Sequence, residues 1–442
     1  MAEVQNAVKL HIDNCTLSGD GVARLDGQAV FVPGALPGEE VEAVITQRKK
    51  SYARARLTQV LQPHPRRNHA ACPQAARCGG CPLAMADYPL QLQIKQQAVA
   101  DLLRRMGGFA PDAYQLRQVM PSPKERGYRC RVALHWQPRT QELGFYAESS
   151  HQVIPAAACG LLSPLLADLT VKLQQLLPQL DVQQLRHIVL QADADDAAAA
   201  VYLVDDDRRE AARIAAAVVA ELPQIRMVWG NSGKAVYGVY GSSWYHLQGL
   251  KQLPDRVGEL QLLLSPGAFT QINVAQRELL YRTAIEAAGV RPGMRLLDAY
   301  SGVGVMALLA AQLGAEVIGI ESYAPAAEDA AANARLNGLA RTRFIADTVE
   351  KAAVALAAEG YAPEAVILDP PRAGCDMAAL QAVLQMQPQR IVYVSCDPAT
   401  LARDLKVLAA DKYRLSWVQP LDMFPGCGHI ENIACLDLNA DE

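Results

Sequence analysis

The sequence has 442 residues, 51% hydrophobic and 20% charged, with a net charge of −4. That length predicts two or three domains with substantial cores, and the charge balance excludes both a disordered chain and one that is basic throughout. No stretch approaches about 18 uninterrupted apolar residues and "MAEVQNAVKL" lacks a signal pattern, so neither a membrane span nor secretion is expected.

Residues 1–62 alternate apolar and polar positions between the turns "SGDG", "LDG" and "PGALPGE". This predicts a small OB-like β-barrel, a fold that closes its own sheet edges and commonly binds oligonucleotides. Between Glu42 and Asp87 there is no acidic residue, while Arg48, Lys49, Lys50, Arg54, Arg56, Arg66, Arg67 and Arg77 fall inside. Either a solvated strand face or a phosphate-backbone footprint accounts for such a run. A strand through Arg54 and Arg56 presents both on one face, because side chains two apart point the same way.

Residues 63–260 open on "CPQAARCGGCP", which spaces Cys72, Cys78 and Cys81 as C-x5-C-x2-C. The chain has ten cysteines and no secretion signal, which implies a reducing, cytoplasmic setting where grouped thiols act as ligands or catalysts. A fourth ligand is needed for zinc or for a four-iron cluster, and Cys159 is preferred over Cys130. Spacing alone does not separate the two metals. A helix-like run follows in "YPLQLQIKQQAVADLLRRMGGF", then strand-like "CRVALHWQ" and "HIVLQAD". Arg126, Arg129 and Arg131 in "KERGYRCR" are either RNA contacts or solvated charges.

Residues 261–442 alternate strand-like and helix-like segments, from "MRLLDAY" and "GVMALLAAQL" to "RIVYVSC" and "PATLARDLKVLAA". Such alternation predicts right-handed βαβ units and a doubly wound parallel sheet, with ligands at the carboxyl ends of its strands. Asp298, Glu321, Asp347, Asp369 and Cys396 all fall at those ends.

In "LLDAYSGVGVMA", Gly302 and Gly304 follow a strand and open a helix, where glycine lets the backbone approach a ligand. Glu321 ends the next strand 19 residues after Gly302, where a carboxylate accepts bonds from two ribose hydroxyls. Asp298 precedes the glycines, where it would repel a pyrophosphate but suits a cationic sulfonium and its amino group. The pattern resembles the class I, Rossmann-like methyltransferases. "FTQIN", with Gln271 and Asn273, offers an amide to the same ligand.

"ILDPPR" places Asp369 at the fourth strand end, and "IVYVSCDPAT" places Cys396 at the fifth. Uracil C5 is a poor nucleophile until a thiolate adds to C6, and a base must later remove the C5 proton. That chemistry needs one cysteine and one base. The helix start after Cys396 is expected to favour thiolate. Glu431 in "FPGCGHIEN" is the base candidate and His429 its rival. A buried core cysteine is the plain alternative for Cys396.

"FTQIN", "DAYSGVG", "DPPR", "SCDPAT" and "FPGCGHIE" together resemble the RNA uracil-C5 methyltransferase family over almost the whole chain. The resemblance implies Cys396 as nucleophile and Glu431 as base. Around S-adenosylmethionine it implies Gln271, Tyr300, Gly302, Gly304, Glu321, Asp347 and Asp369. The barrel resembles a TRAM domain. Ribosomal RNA members carry a [4Fe-4S] cluster on this cysteine pattern, which points to Cys72, Cys78, Cys81 and Cys159 as its ligands. The architecture implied is α/β and multidomain: barrel at 1–62, mixed central domain with the cluster at 63–260, and methyltransferase domain at 261–442. The implied activity is methylation of one uridine in 23S ribosomal RNA, of the uracil-1939 type, by a monomer. Another ribosomal or transfer RNA uridine, or cytosine C5, is the alternative. "GCGH" stands where the family more usually has "x-T-x-H", so Cys427 lies close to the base.

Overall fold

The computed structural model describes residues 7–68, 72–148, 150–410 and 412–439. Five strands, Ala7–Cys15, Asp20–Leu25, Gln28–Pro33, Glu40–Arg48 and Tyr52–Gln62, close into a barrel. Leu10, Ile12, Ala23, Val30, Val32, Val41, Ala43, Ala53 and Ala55 fill it. The alternation that buries Ala53 and Ala55 exposes Arg54 and Arg56 on the outer face, as the period of two requires. Arg67 departs from the expected cationic surface. Its guanidinium makes paired bonds of 2.6 Å to Glu39, whose side chain is fully buried.

The middle of the chain builds a seven-stranded mixed sheet ordered Tyr240–Gly249, Ile225–Tyr237, Ala199–Asp205, Leu185–Ala192, Arg131–Gln137, Glu142–Tyr146 and Val153–Pro155. Helices Pro164–Leu176 and Arg208–Glu221 bury leucine, isoleucine and valine against one of its faces.

The C-terminal sheet has eight strands, ordered Thr342–Ala346, Glu316–Glu321, Arg295–Ala299, Ala365–Leu368, Arg390–Ser395, Glu431–Leu438, Tyr413–Leu421 and Gln115–Leu116. The first five run parallel, Glu431–Leu438 is antiparallel to both its neighbours, and Gln115–Leu116 joins Tyr413–Leu421 in parallel. The expected parallel sheet is therefore closed by an antiparallel hairpin and an edge strand from much earlier in the chain. Helix Tyr88–Leu102 also packs here, near helix Pro398–Leu408. None of the helices is long and apolar enough to cross a membrane among the described residues.

Candidate active site

Strand register brings the site together. Ala299 pairs with Ile320 on one side and Leu368 on the other, and Leu368 pairs with Tyr393. Asp298, Glu321, Asp369 and Cys396 consequently crowd one edge of the sheet. Ser395 pairs with Asn432, and Leu421 with Glu431, which sets Glu431 across from the Cys396 strand end. Asn432 ties the two together by donating to the Ser395 carbonyl at 3.3 Å.

The loop after the first strand shows why its residues are small. Gly302 and Gly304 take φ of 55° and 87°, and a Cβ on Gly304 would meet Ala330 at 2.9 Å. Tyr300 adopts φ of 67° without being glycine, a strained conformation held by its surroundings. Its hydroxyl lies beside the Cys375 thiol. Glu321 accepts the Gly302 N–H at 3.0 Å and the Tyr323 N–H at 2.6 Å, which shapes the loop. Asp298 is buried. One oxygen accepts the Ala307 N–H at 2.9 Å and the other has no partner. Burial, then Asp369, pushes its carboxyl up to about 8. Gln271 is buried at the rim of the same edge, with Tyr281 bonded to its backbone and close to Asp369 and Glu431. Asp347 caps its own chain by accepting the Thr348 N–H at 2.8 Å, one strand further out.

At the candidate reaction centre, Cys396 is half-buried beside Glu431, Asp369 and Arg372. Its thiol is pushed up to about 11, by burial first and then by Glu431, while Arg372 opposes through charge and a hydrogen bond. The expectation that the helix start would favour thiolate is corrected here. Asp397 caps that helix by accepting the Ala399 and Thr400 N–H groups at 2.9 and 3.0 Å, and two carboxylates face the sulfur. Glu431 is 2% exposed, and burial, then Asp369, lifts it to about 8. Asp369 rises to about 7 through burial. His429 sits at the outer edge, 3.3 Å from Arg372. Partial burial, then Arg372, lowers its imidazole below its ordinary value.

Arg372 is the residue that sequence reasoning undervalued. The "DPPR" motif was its signal, and only the fold shows that the guanidinium reaches Cys396. Arg131, expected as either an RNA contact or a solvated charge, instead donates to the Ala268 carbonyl at 2.8 Å and the Tyr240 hydroxyl at 2.9 Å. It thereby supports the loop leading to Gln271.

The cysteines gather only in part. The Cys81 thiol is raised by its hydrogen bond with Cys427 first, then by burial, with Cys159 and Cys78 also near. The expected set of Cys72, Cys78, Cys81 and Cys159 is thus not closed. Among the described residues no three His, Cys, Asp or Glu stand arranged to hold a metal ion. Cys81 is paired with Cys427, whose thiol is lowered to about 6 by that hydrogen bond first. The donor chemistry suits iron–sulfur, and three of the four expected thiols already interact.

The tRNA (uracil-5-)-methyltransferase family model matches residues 252–438, and the TRAM domain model matches 11–58. An uncharacterized RNA methyltransferase of Halalkalibacterium halodurans is 34% identical over 447 aligned positions, covering 98% of this chain and 97% of the relative. The chain belongs to the RNA uracil-C5 methyltransferase family. An uncharacterized RNA methyltransferase of Caldanaerobacter subterraneus subsp. tengcongensis is 33% identical, covering 99% of this chain and all of that one. The crystal structure of the Pyrococcus abyssi tRNA (uracil-54, C5)-methyltransferase with S-adenosyl-L-homocysteine is similar with a TM-score of 0.74 and 26% identity. It covers 97% of this chain and 100% of that one. As a member of this family the protein is an S-adenosylmethionine-dependent RNA methyltransferase with an N-terminal TRAM barrel. The unpartnered Asp298 oxygen, among raised carboxylates, fits a ligand that brings positive charge.

Proposed function

We propose that the protein methylates C5 of a specific uridine in 23S ribosomal RNA, of the uracil-1939 type, through a covalent adduct between Cys396 and C6. The observation that carries this is that Cys396 and Glu431 are neighbours at the strand ends, each also beside Arg372 and Asp369. Cys396, having given its proton to solvent, attacks as thiolate: its sulfur forms a bond to C6, and the C5–C6 π electron pair moves toward O4. S-adenosylmethionine would supply an electrophilic methyl group, which C5 would take as the methyl–sulfur bond breaks and leaves the neutral thioether S-adenosylhomocysteine. Glu431 as carboxylate then removes the C5 proton, the C6–sulfur bond breaks, and Cys396 is regenerated. A base whose pKa lies near working pH suits that step. Arg372 favours the thiolate form of Cys396. Gln271, Tyr300, Gly302, Gly304, Glu321, Asp347 and Asp369 line the methyl donor's place in this scheme.

The barrel's exposed Arg54 and Arg56 support a grip on RNA backbone, with the target base flipped out of its stack. Ribosomal RNA is supported by the Cys72, Cys78 and Cys81 spacing, which resembles that of the ribosomal RNA members. We assign a [4Fe-4S] cluster to Cys72, Cys78, Cys81 and Cys159, because metal binding draws together ligands that stand apart without it. Iron and sulfide content of protein purified without oxygen tests this, and zinc without iron refutes it. The division at 1–62, 63–260 and 261–442, a monomeric state and a reducing cytoplasm complete the proposal. None of the ten cysteines is in a disulfide.

The likeness to a transfer RNA enzyme favours a second reading, a transfer RNA uridine. Mapping 5-methyluridine in ribosomal and transfer RNA from cells lacking the gene decides between them. Loss from transfer RNA alone refutes the first.

A further inference from the structure

Glu431 stands at the end of a hairpin whose nine-residue connection, Asp422 to Ile430, is held from outside the sheet. Leu421 pairs with Glu431, so Asp422 sits at the hairpin mouth beside the proposed base. Lys95, 327 residues earlier in the chain, donates to Asp422 Oδ1 at 2.6 Å and to the Phe424 carbonyl at 2.9 Å. Neither side chain of this pair has any solvent exposure. The Phe424 N–H donates to the same Asp422 oxygen at 3.1 Å. One turn before Lys95, Gln91 accepts the Gly426 N–H at 2.8 Å. From other elements, Asn273 donates to the Met423 carbonyl at 3.1 Å and Tyr128 to the Pro425 carbonyl at 3.1 Å.

A buried ion pair is a poor way to stabilise a core, because removing two charges from water offsets their attraction. Two well-packed apolar side chains would serve cohesion as well. What an ion pair with two backbone bonds adds is direction: it admits one path for the chain between Leu421 and Glu431. Helix Tyr88–Leu102 lies outside the family match at 252–438, yet its buried face supplies both contacts.

We propose that Lys95 is a positioning residue for the proton-removal step, fixing through Asp422 and Phe424 the hairpin that ends in Glu431. This rests on Glu431 being the base. Lys95 touches neither RNA nor methyl donor in this scheme, so it acts on the second half of the reaction and leaves the first intact.

The test uses the full chain purified without oxygen, S-adenosylmethionine, and a mixture of unmodified 23S ribosomal and transfer RNA transcripts tritiated at uracil C5. The variants are Lys95→Met and Lys95→Met/Asp422→Leu. Covalent protein–RNA adduct is read on a denaturing gel, and the C5 step by tritium release to water. Adduct formation is expected to stay within about threefold of wild type, while tritium release falls about 100-fold, as for a catalytic group displaced by about 1 Å. Methylated adduct then accumulates. The double variant removes both buried charges, so its melting temperature is expected to recover while tritium release does not. It carries the test if Lys95→Met alone fails to fold. Recovery of release in the double variant overturns the proposal, as does a parallel fall of both readouts in either variant. Glu431→Gln is the reference. If it does not accumulate adduct, the base assignment fails and takes the proposal with it. If it does while the Lys95 variants behave like wild type, only the positioning role fails.

Discussion

In the RNA-free protein the Cys396 thiol should be a reluctant nucleophile. With its pKa pushed up to about 11, the thiolate fraction at neutral pH is on the order of 1 in 10,000. The charged form is the disfavoured one, so reactivity increases as pH rises. Alkylation of Cys396 by iodoacetamide, followed by mass spectrometry of its peptide, should accelerate about tenfold per pH unit between roughly 7 and 9. Arg372 is the cation that opposes burial and the two carboxylates. A hydrogen bond to a charged group is worth about 1.5–3 kcal/mol, so Arg372→Met should slow alkylation at fixed pH by about 10–100-fold. Protection from alkylation must be excluded by comparison with Cys427, which Arg372 is not expected to influence. A wild-type rate that levels off below about pH 8 would refute the electrostatic account of this pocket. So would an Arg372→Met protein that reacts as fast as wild type.

Asp298 carries a sign that can be checked. Its folded pKa is raised from 3.8 to about 8, so the folded protein holds an extra proton between those values and loses stability as pH climbs through them. Asp298→Asn should therefore raise unfolding free energy by on the order of 2 kcal/mol at about pH 8 and change little near pH 4, seen in thermal melts, while weakening S-adenosylmethionine binding by calorimetry. Gly304→Ala places a methyl group 2.9 Å from Ala330 at a φ of 87°. It should cost about 1–3 kcal/mol and remove measurable binding of the methyl donor. Arg54→Ala and Arg56→Ala should weaken RNA binding without changing melting temperature, each lowering the slope of log affinity against log salt by about one.

Much of this site was legible because strand ends are legible. Gly302, Asp369 and Cys396 each follow an apolar run and precede a helix, so their shared edge follows from topology before any contact is known. The barrel was readable for the same reason, alternation between glycine turns. What escaped is what depends on partners far apart in the chain. Arg67 reads as one cation among eight until Glu39 is found beneath it, and Arg131 reads as a surface charge until Ala268 and Tyr240 are found beside it. Lys95 looks like an ordinary helix-surface lysine, and nothing local marks it as fully buried. The thiolate expectation for Cys396 failed differently. Its helix start was placed correctly, but Asp397 caps that helix and Glu431 arrives from a strand 35 residues on.

The raised carboxylates and the raised thiol describe one electrostatic condition. Asp298, Asp369 and Glu431 stand at about 8, 7 and 8 because each is buried, and Asp369 raises both of the others. Cys396 shares the penalty through Glu431 and Asp369. Arg372 is the cation that bears on both Cys396 and Glu431, and it is exposed at the rim. A ligand bearing a sulfonium and an ammonium favours the ionised forms of all three acids. In the proposed scheme, ionised Glu431 is the form that removes a proton. Yet each carboxylate that ionises makes thiolate formation at Cys396 harder, so the two halves of the reaction pull this pocket in opposite directions. A site with that conflict needs its base held at one fixed distance from the sulfur. That is the physical reason for anchoring the Glu431 hairpin through a buried lysine instead of leaving it a free surface loop.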